Sequence, residues 1–273
     1  MGKIIDGKTA AQQLRNKIKE ELETSGKKVR LTIFQAGDNP ASNVYVRNKQ
    51  KACEEVGIES KVIKVDTPEE LRYQIIMQSG MCEAMMVQLP LPEEFGDPQK
   101  HIDLILPEQD ADCLTTYNLG KLFLGDMSLT PCTAKGIIHL LDMKEIPIQG
   151  KHAVVVGRSD IVGKPVAHML LERDATVTVC HSKTENLAEI TRMADILVVA
   201  IGKPKFITAD MVKEGAVVID VGINRMKDGK LCGDVDFDAV KDKALAITPV
   251  PGGVGPMTVS MLLANSVLCA EEK

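Results

Sequence analysis

The stretch Ala153-Val154-Val155-Val156-Gly157-Arg158-Ser159-Asp160-Ile161-Val162-Gly163 decides how this chain folds. An apolar run without polar alternation reads as a strand buried on both faces, as in parallel sheets. Here the run ends on a glycine turn, and a helical pattern follows Gly163. A strand feeding a glycine turn and then a helix aims backbone N–H groups at the space before the helix, where a pyrophosphate is received. The spelling departs from GxGxxG, with serine at the second glycine position and one residue added. A strand-to-helix turn without a ligand is the other reading of the same residues.

Downstream, apolar strands at 176–180, 196–200 and 217–221 alternate with helical segments after Gly163 and near Leu187. An NAD site usually closes its second strand with an acid that holds the ribose 2′-hydroxyl. In this chain the second strand ends Cys180-His181-Ser182-Lys183, with no carboxylate. Arg158, Ser182 and Lys183 offer positive charge and donors to a 2′-phosphate, which predicts NADP rather than NAD. Solvated surface charge is the alternative for Arg158 and Lys183.

Upstream, Leu14, Ile18 and Leu22 mark an amphipathic helix over 8–25 that Gly26 closes. A strand at 31–35, a helix over 41–56 stopping at Gly57 and a strand at 61–65 follow. Thr67-Pro68-Glu69-Glu70 spells a capping box with proline at the first helical position, opening a helix that ends near Gly80. The apolar strand 84–89 then runs into Leu-Pro-Leu-Pro at 89–92. From 106 to 130 the periodicity is lost; helix resumes over 133–143, and a last helix follows the proline- and glycine-rich turn at 249–256. The pattern predicts an α/β protein of two domains, each with a mainly parallel sheet flanked by helices, the second Rossmann-like. The expected boundaries are 1–118, completed by the C-terminal helix 257–273, and 119–256.

Composition narrows the function classes. The 273 residues carry 33 basic and 38 acidic side chains, net −5, with the signs interspersed, so nucleic acid and anionic membrane are poor partners. Aromatic residues make up 3% and tryptophan is absent, which leaves little from which to build a base-stacking platform. Seven cysteines form no CxxC pair, and an odd number cannot close into internal disulfides throughout; a reducing cytoplasm fits. The start lacks a signal-peptide layout, and no apolar run reaches the ~18 residues of a membrane span.

Candidate chemistry gathers in the first half. Tyr45 and Lys49 stand four apart on a predicted helix, so an aromatic plane and an amine share one face; a surface tyrosine over a surface lysine is the plainer alternative. Gln88 ends an apolar strand just before prolines, where parallel sheets place site residues. Asp110 and Asp112 fall in the aperiodic stretch. The five histidines show no metal-ligand spacing, so no metal site is assigned. Asp234 and Asp236, two apart, read as a solvated acidic turn.

Together these blocks resemble a known family. Asn39-Pro40-Ala41-Ser42 with Tyr45 and Lys49, Val87-Gln88-Leu89-Pro90-Leu91-Pro92, Pro131-Cys132-Thr133, Gly157-Arg158-Ser159 with Ile161-Val162-Gly163, and Pro249-Val250-Pro251-Gly252-Gly253-Val254-Gly255-Pro256-Met257-Thr258 are similar in order and separation to methylenetetrahydrofolate dehydrogenase/methenyltetrahydrofolate cyclohydrolase. So are Ile4-Ile5-Asp6-Gly7-Lys8 and Asp220-Val221-Gly222-Ile223-Asn224-Arg225. The resemblance implies NADP-dependent oxidation of 5,10-methylenetetrahydrofolate and hydrolysis of the methenyl product to 10-formyltetrahydrofolate in one cleft, by a homodimer. It implies that Lys49 is the catalytic lysine, that Tyr45 stacks on the folate, that Gln88 orients and tunes Lys49, and that Asp112 holds the pterin. It implies further that Val87, Leu89, Pro251, Gly252, Gly253, Val254 and Gly255 line the folate, and that Gly157, Arg158, Ser159, Ser182 and Ile223 line the cofactor. Cys113 departs from the family's usual glycine, and Ala134 from its usual proline.

The chemistry agrees with those residue types. Hydride transfer asks the protein only to align two ring systems and exclude water. Hydrolysis moves protons, and a lysine near 10.4 suits neutral pH only if its pKa falls, as burial beside the neutral Gln88 would arrange. A dehydrogenase without cyclohydrolase activity is the alternative, against which Lys49 with Gln88 argues. A dinucleotide-sensing module would leave Tyr45, Lys49 and Gln88 without a task, and a shikimate or malate dehydrogenase would carry a differently built first half.

Overall fold

A computed structural model describes residues 3–271. The chain forms two compact units: one takes the chain through Ala11 with Thr133–Thr258, the other Gln12–Cys132 with the chain from Val259 on.

In the unit containing Thr133–Thr258, six parallel strands run in the order Lys3–Ile4, Ala246–Ile247, Val217–Asp220, Ile196–Val199, His152–Val156, Thr176–Cys180. His152–Val156 is flanked by the next two strands in sequence, one on each side. Connections that leave such a strand pair on opposite sides open a crevice at the carboxyl ends. Val154, Val156, Leu197, Val199 and Val218 fill the core; each such side chain contributes roughly 1.5–3 kcal/mol on burial, which is why the strands read as unbroken apolar runs.

The other unit has Arg30–Ala36 at the centre of three parallel strands, between Glu59–Val65 and Ala84–Val87. Phe34, Leu71, Ile75, Met85, Val87 and Phe95 are core residues here. At the start of the helix Pro68–Gln78, Thr67 Oγ1 accepts from Glu70 N at 3.1 Å, while Glu70 Oε2 accepts from Asp66 N at 3.0 Å. The reciprocal bond of the expected box therefore closes one residue early.

The division differs from the expected boundary at 118/119. Lys3–Ile4 joins the sheet of the second half, Lys3 N donating to Leu245 O and Ile5 N to Ile247 O, both at 2.9 Å. Two residues carry no periodicity to read. The stretch 106–130 also holds a helix, Thr116–Phe123, started by Thr115 Oγ1 accepting from Asn118 N at 3.3 Å. The last helix runs Val254–Cys269, three residues earlier than expected. Residues 1, 2, 272 and 273 of the expected domains lie outside the described residues. Among the described residues no helix is long and apolar enough to cross a membrane.

Candidate active site

Lys49 lies on the helix Pro40–Val56. Proline begins that helix, Asn39 O accepts from Asn43 N, and Gly57 at φ 85 ends it in the left-handed conformation that glycine adopts freely. The Lys49 side chain is only 7% exposed. Its Nζ donates to Gln88 Oε1 at 3.0 Å and contacts Met86 Sδ at 3.3 Å. Met86 and Gln88 are two apart across the end of the strand Ala84–Val87, so both face the amine, while Val87 between them packs in the core behind the sheet. Any contact of Val87 with a ligand would thus be through its backbone. Gln88 is 8% exposed; its Nε2 donates to Leu89 O at 2.6 Å, which turns Oε1 toward the lysine. Leu89–Pro90 is a cis peptide, and Leu89 is half-buried.

Burial holds the Lys49 pKa below the usual lysine range. The charge of Asp112 pulls it back up. Burial pushes the Cys53 thiol up to about 12, so it stays neutral at pH 7 and offers the amine no counter-charge. The hydrogen-bond partner is an amide. Tyr45, one turn before Lys49, is 38% exposed.

Asp112 is half-buried in a pinned loop. Ala111 N donates to Met85 O at 3.1 Å, and Ala111 O accepts from Asn265 Nδ2 at 2.9 Å and Cys132 Sγ at 3.2 Å. Asp110, on the other side of Ala111, is buried; burial raises its pKa, and Thr115 N at 2.8 Å and Asn118 Nδ2 at 3.1 Å work against that rise. Cys113 adopts φ 57 and donates its thiol to Leu129 O at 3.2 Å. A left-handed residue is the physical reason for a glycine at this position in the related family.

In the other unit, Gly157, Arg158 and Ser182 line one crevice with His181, Ala200, Ile201, Lys203 and Phe206. It lies at the carboxyl ends of His152–Val156 and Ile196–Val199, where the strand order reverses. Gly157 has φ 129, and a Cβ there would sit 2.3 Å from Ala200 O; a Cβ on Gly163 would sit 2.3 Å from Gly157 O. Both glycines are therefore required, although the first and third letters of the usual fingerprint are spaced one residue wider. The crevice has Arg158, Lys203, Ser182 and His181 in its lining and no acidic residue. That donor set fits a dinucleotide with a 2′-phosphate. Ser159 is exposed, and its Oγ accepts from Gly163 N at 3.4 Å where the helix Gly163–Leu171 begins. Ser159 and Ile223 are not part of the crevice lining. Ile223 lies instead beside the 251–255 turn, its Cδ1 3.5 Å from where a Cβ on Gly255 would be. That turn contains the cis peptide Val250–Pro251, and Gly252 at φ 111 accepts from Lys8 N at 3.1 Å.

Sequence reasoning passed over several residues of these sites. Met86 and Asn265 lay within apolar runs. Asp234 is a correction: it is 0% exposed, not solvated, and accepts from Ile201 N and Gly202 N. The glycine beside it was the available signal, because a Cβ on Gly233 would collide with Asp220.

Comparison with known proteins identifies the family. The tetrahydrofolate dehydrogenase/cyclohydrolase catalytic domain matches residues 5–112, and the NAD(P)-binding domain of the same family matches residues 131–273. Bifunctional protein FolD of Nitrosospira multiformis is 52% identical, over 99% of this chain and 96% of its own. The crystal structure of the bifunctional FolD dehydrogenase/cyclohydrolase from Campylobacter jejuni is 44% identical with a TM-score of 0.96, over 100% of this chain and 99% of that one. The Trypanosoma brucei FolD structure, complexed with NADP cofactor and inhibitor, is 38% identical with a TM-score of 0.94, over 99% and 98%. With both domain models and full-length relatives in agreement, this chain belongs to the tetrahydrofolate dehydrogenase/cyclohydrolase family.

Proposed function

We propose that the protein oxidises 5,10-methylenetetrahydrofolate with NADP and hydrolyses the methenyl cation so formed to 10-formyltetrahydrofolate. The observation that carries this reading is the buried Lys49 amine, held by the Gln88 amide at 3.0 Å and lowered in pKa by burial.

NADP, when bound, accepts the hydride. Gly157 and Gly163 give its pyrophosphate close access to backbone, and Arg158 with Ser182 gives the 2′-phosphate its donors. In the other unit Tyr45 presents an aromatic face to the pterin, and Asp112 accepts from pterin N–H groups. For hydrolysis, Lys49 as the free amine takes one proton from water as the water oxygen bonds to the methenyl carbon. The ammonium returns that proton to N5 as the bond between that carbon and N5 breaks. The formyl group stays on N10, and the second water proton leaves to solvent. An amine kept below its ordinary pKa performs both transfers near neutral pH. Gln88 orients Nζ without adding the charge that would fix it as ammonium.

The same proposal includes a homodimer, supported by the family resemblance, and a reducing cytoplasm, supported by the odd cysteine count and the absence of CxxC pairs. Sedimentation of the pure protein checks the dimer.

Incubating the protein with NADP and methylenetetrahydrofolate tests the function. Reduced cofactor should accumulate faster than the methenyl product, the difference being 10-formyltetrahydrofolate. Equal accumulation of the two would remove the hydrolytic half, and no reduced cofactor would remove the whole reading.

A further inference from the structure

Two buried acids in the unit containing Thr133–Thr258 take no part in the chemistry above. Asp220 ends the strand Val217–Asp220 and is 3% exposed; Asp234 is 0% exposed. Neither has a cation against it among the hydrogen bonds of the described residues. Their partners are N–H groups instead. Asp220 accepts from Gly222 N at 3.0 Å, Asp234 N at 2.9 Å and Val235 N at 2.9 Å. Asp234 Oδ2 accepts from Ile201 N at 2.7 Å and Gly202 N at 2.9 Å, and its Oδ1 from Asn224 Nδ2 at 2.8 Å.

Burying a carboxylate costs several kcal/mol unless charge-assisted hydrogen bonds offset it, so six such bonds concentrated on two acids amount to a built feature. The local glycines confirm the construction. A Cβ on Gly222 would lie 2.3 Å from Asp234 Cγ, and one on Gly233 would lie 1.8 Å from Asp220 Oδ2. The acids join loops after two neighbouring strands, Ile196–Val199 and Val217–Asp220, at the carboxyl end of the sheet. The held segment Ile201–Gly202 follows Ala200 directly, and Ala200 O is the atom that leaves no room for a Cβ on Gly157. Ala200, Ile201 and Lys203 are all crevice lining.

We infer that Asp234, itself held by Asp220, is a positioning residue for the cofactor: it fixes the loop Ala200–Lys203 as one wall of the crevice before NADP arrives. An ordered wall removes the loop-ordering cost that binding would otherwise carry. The inference rests on the NADP reading above, and the test separates the two.

Dissociation constants for NADP, read by cofactor fluorescence or calorimetry, are compared for wild type, Asp234→Ala and Asp234→Asn. Asp234→Ala leaves the Ile201 and Gly202 N–H groups unpaired and should weaken NADP about tenfold or more. Asp234→Asn keeps an oxygen for those two groups, because Asn224 can turn its own amide oxygen toward the new NH₂, and should stay within about threefold of wild type. Hydrolysis of methenyltetrahydrofolate without NADP should be unchanged in both. NADP binding by Asp234→Ala equal to wild type would overturn the inference, as would an Asn variant as weak as the Ala variant. Wild type that binds no NADP would instead overturn the cofactor reading. Should Asp234→Ala fail to fold, hydrogen exchange on the wild type decides: the Ile201 and Gly202 amides should be protected before NADP is added. Free exchange that slows only on NADP binding contradicts a preset wall.

Discussion

Lys49 Nζ and Gln88 Oε1 lie 3.0 Å apart with both side chains buried, so the amine of the candidate site is hydrogen-bonded to a neutral acceptor. A carboxylate at the same distance would stabilise the ammonium; the amide orients the lysine and leaves its proton exchangeable. Gln88→Glu should therefore move the rising limb of the pH–rate profile for methenyltetrahydrofolate hydrolysis upward by about one unit or more. An unmoved limb would show that residue 88 does not set the protonation of Lys49.

Burial of Lys49 also has a cost in stability. Its folded pKa lies below the 10.5 of a lysine in the unfolded chain. Between the folded value and 10.5 the unfolded chain binds more protons, so stability rises with pH through that window, and below it the penalty is fully present. Methionine at 49 binds no proton. The stability of Lys49→Met relative to wild type should thus be greatest at low pH and shrink as the pH approaches 10.5. Urea unfolding over a pH series measures this; a relative stability independent of pH would contradict it.

Arg158 is exposed and lines the crevice with Ser182, and no acid faces them there. Arg158→Ala should weaken NADP by about tenfold while changing NAD little, since a charged hydrogen bond to phosphate is worth about 1.5–3 kcal/mol. Titration of both cofactors gives the ratio, and an unchanged NADP/NAD preference would take Arg158 out of that role.

Cys113 is fully buried and left-handed at φ 57. Cys113→Gly relieves the backbone by about 1 kcal/mol but loses the packed thiol and its bond to Leu129 O, about 1 kcal/mol each, so it should cost about 1 kcal/mol net. Cys113→Val places a β-branched residue where L side chains are strained and should cost about 2 kcal/mol or more. Thermal unfolding of the two variants checks the order; equal losses would contradict a backbone origin.

Much of this was legible in the residues. The parallel strands announced themselves as apolar runs, and Gly57 marked the end of its helix because a chain that leaves a helix left-handed favours glycine. Lys49 and Gln88 were legible as candidates, one from its helical spacing to Tyr45 and one from its place at a strand end. What stayed hidden depends on distant partners. Lys3–Ile4 is a strand only because Ala246–Ile247 lies beside it. Asn265 sits in an apolar helix, and nothing local says that its amide pins Ala111. Asp234 looked solvated because acidic turns usually are, and only the folded loops supply the N–H groups that bury it.

The central claim is that one buried amine moves the protons of hydrolysis, and the most direct measurement is the rate of methenyltetrahydrofolate hydrolysis by Lys49→Met beside its affinity for NADP. The account predicts a rate lower by about 10² to 10⁴, the span of general acid–base catalysis, with NADP bound as tightly as by wild type. Hydrolysis within about twofold of wild type, against that expected span, would contradict it.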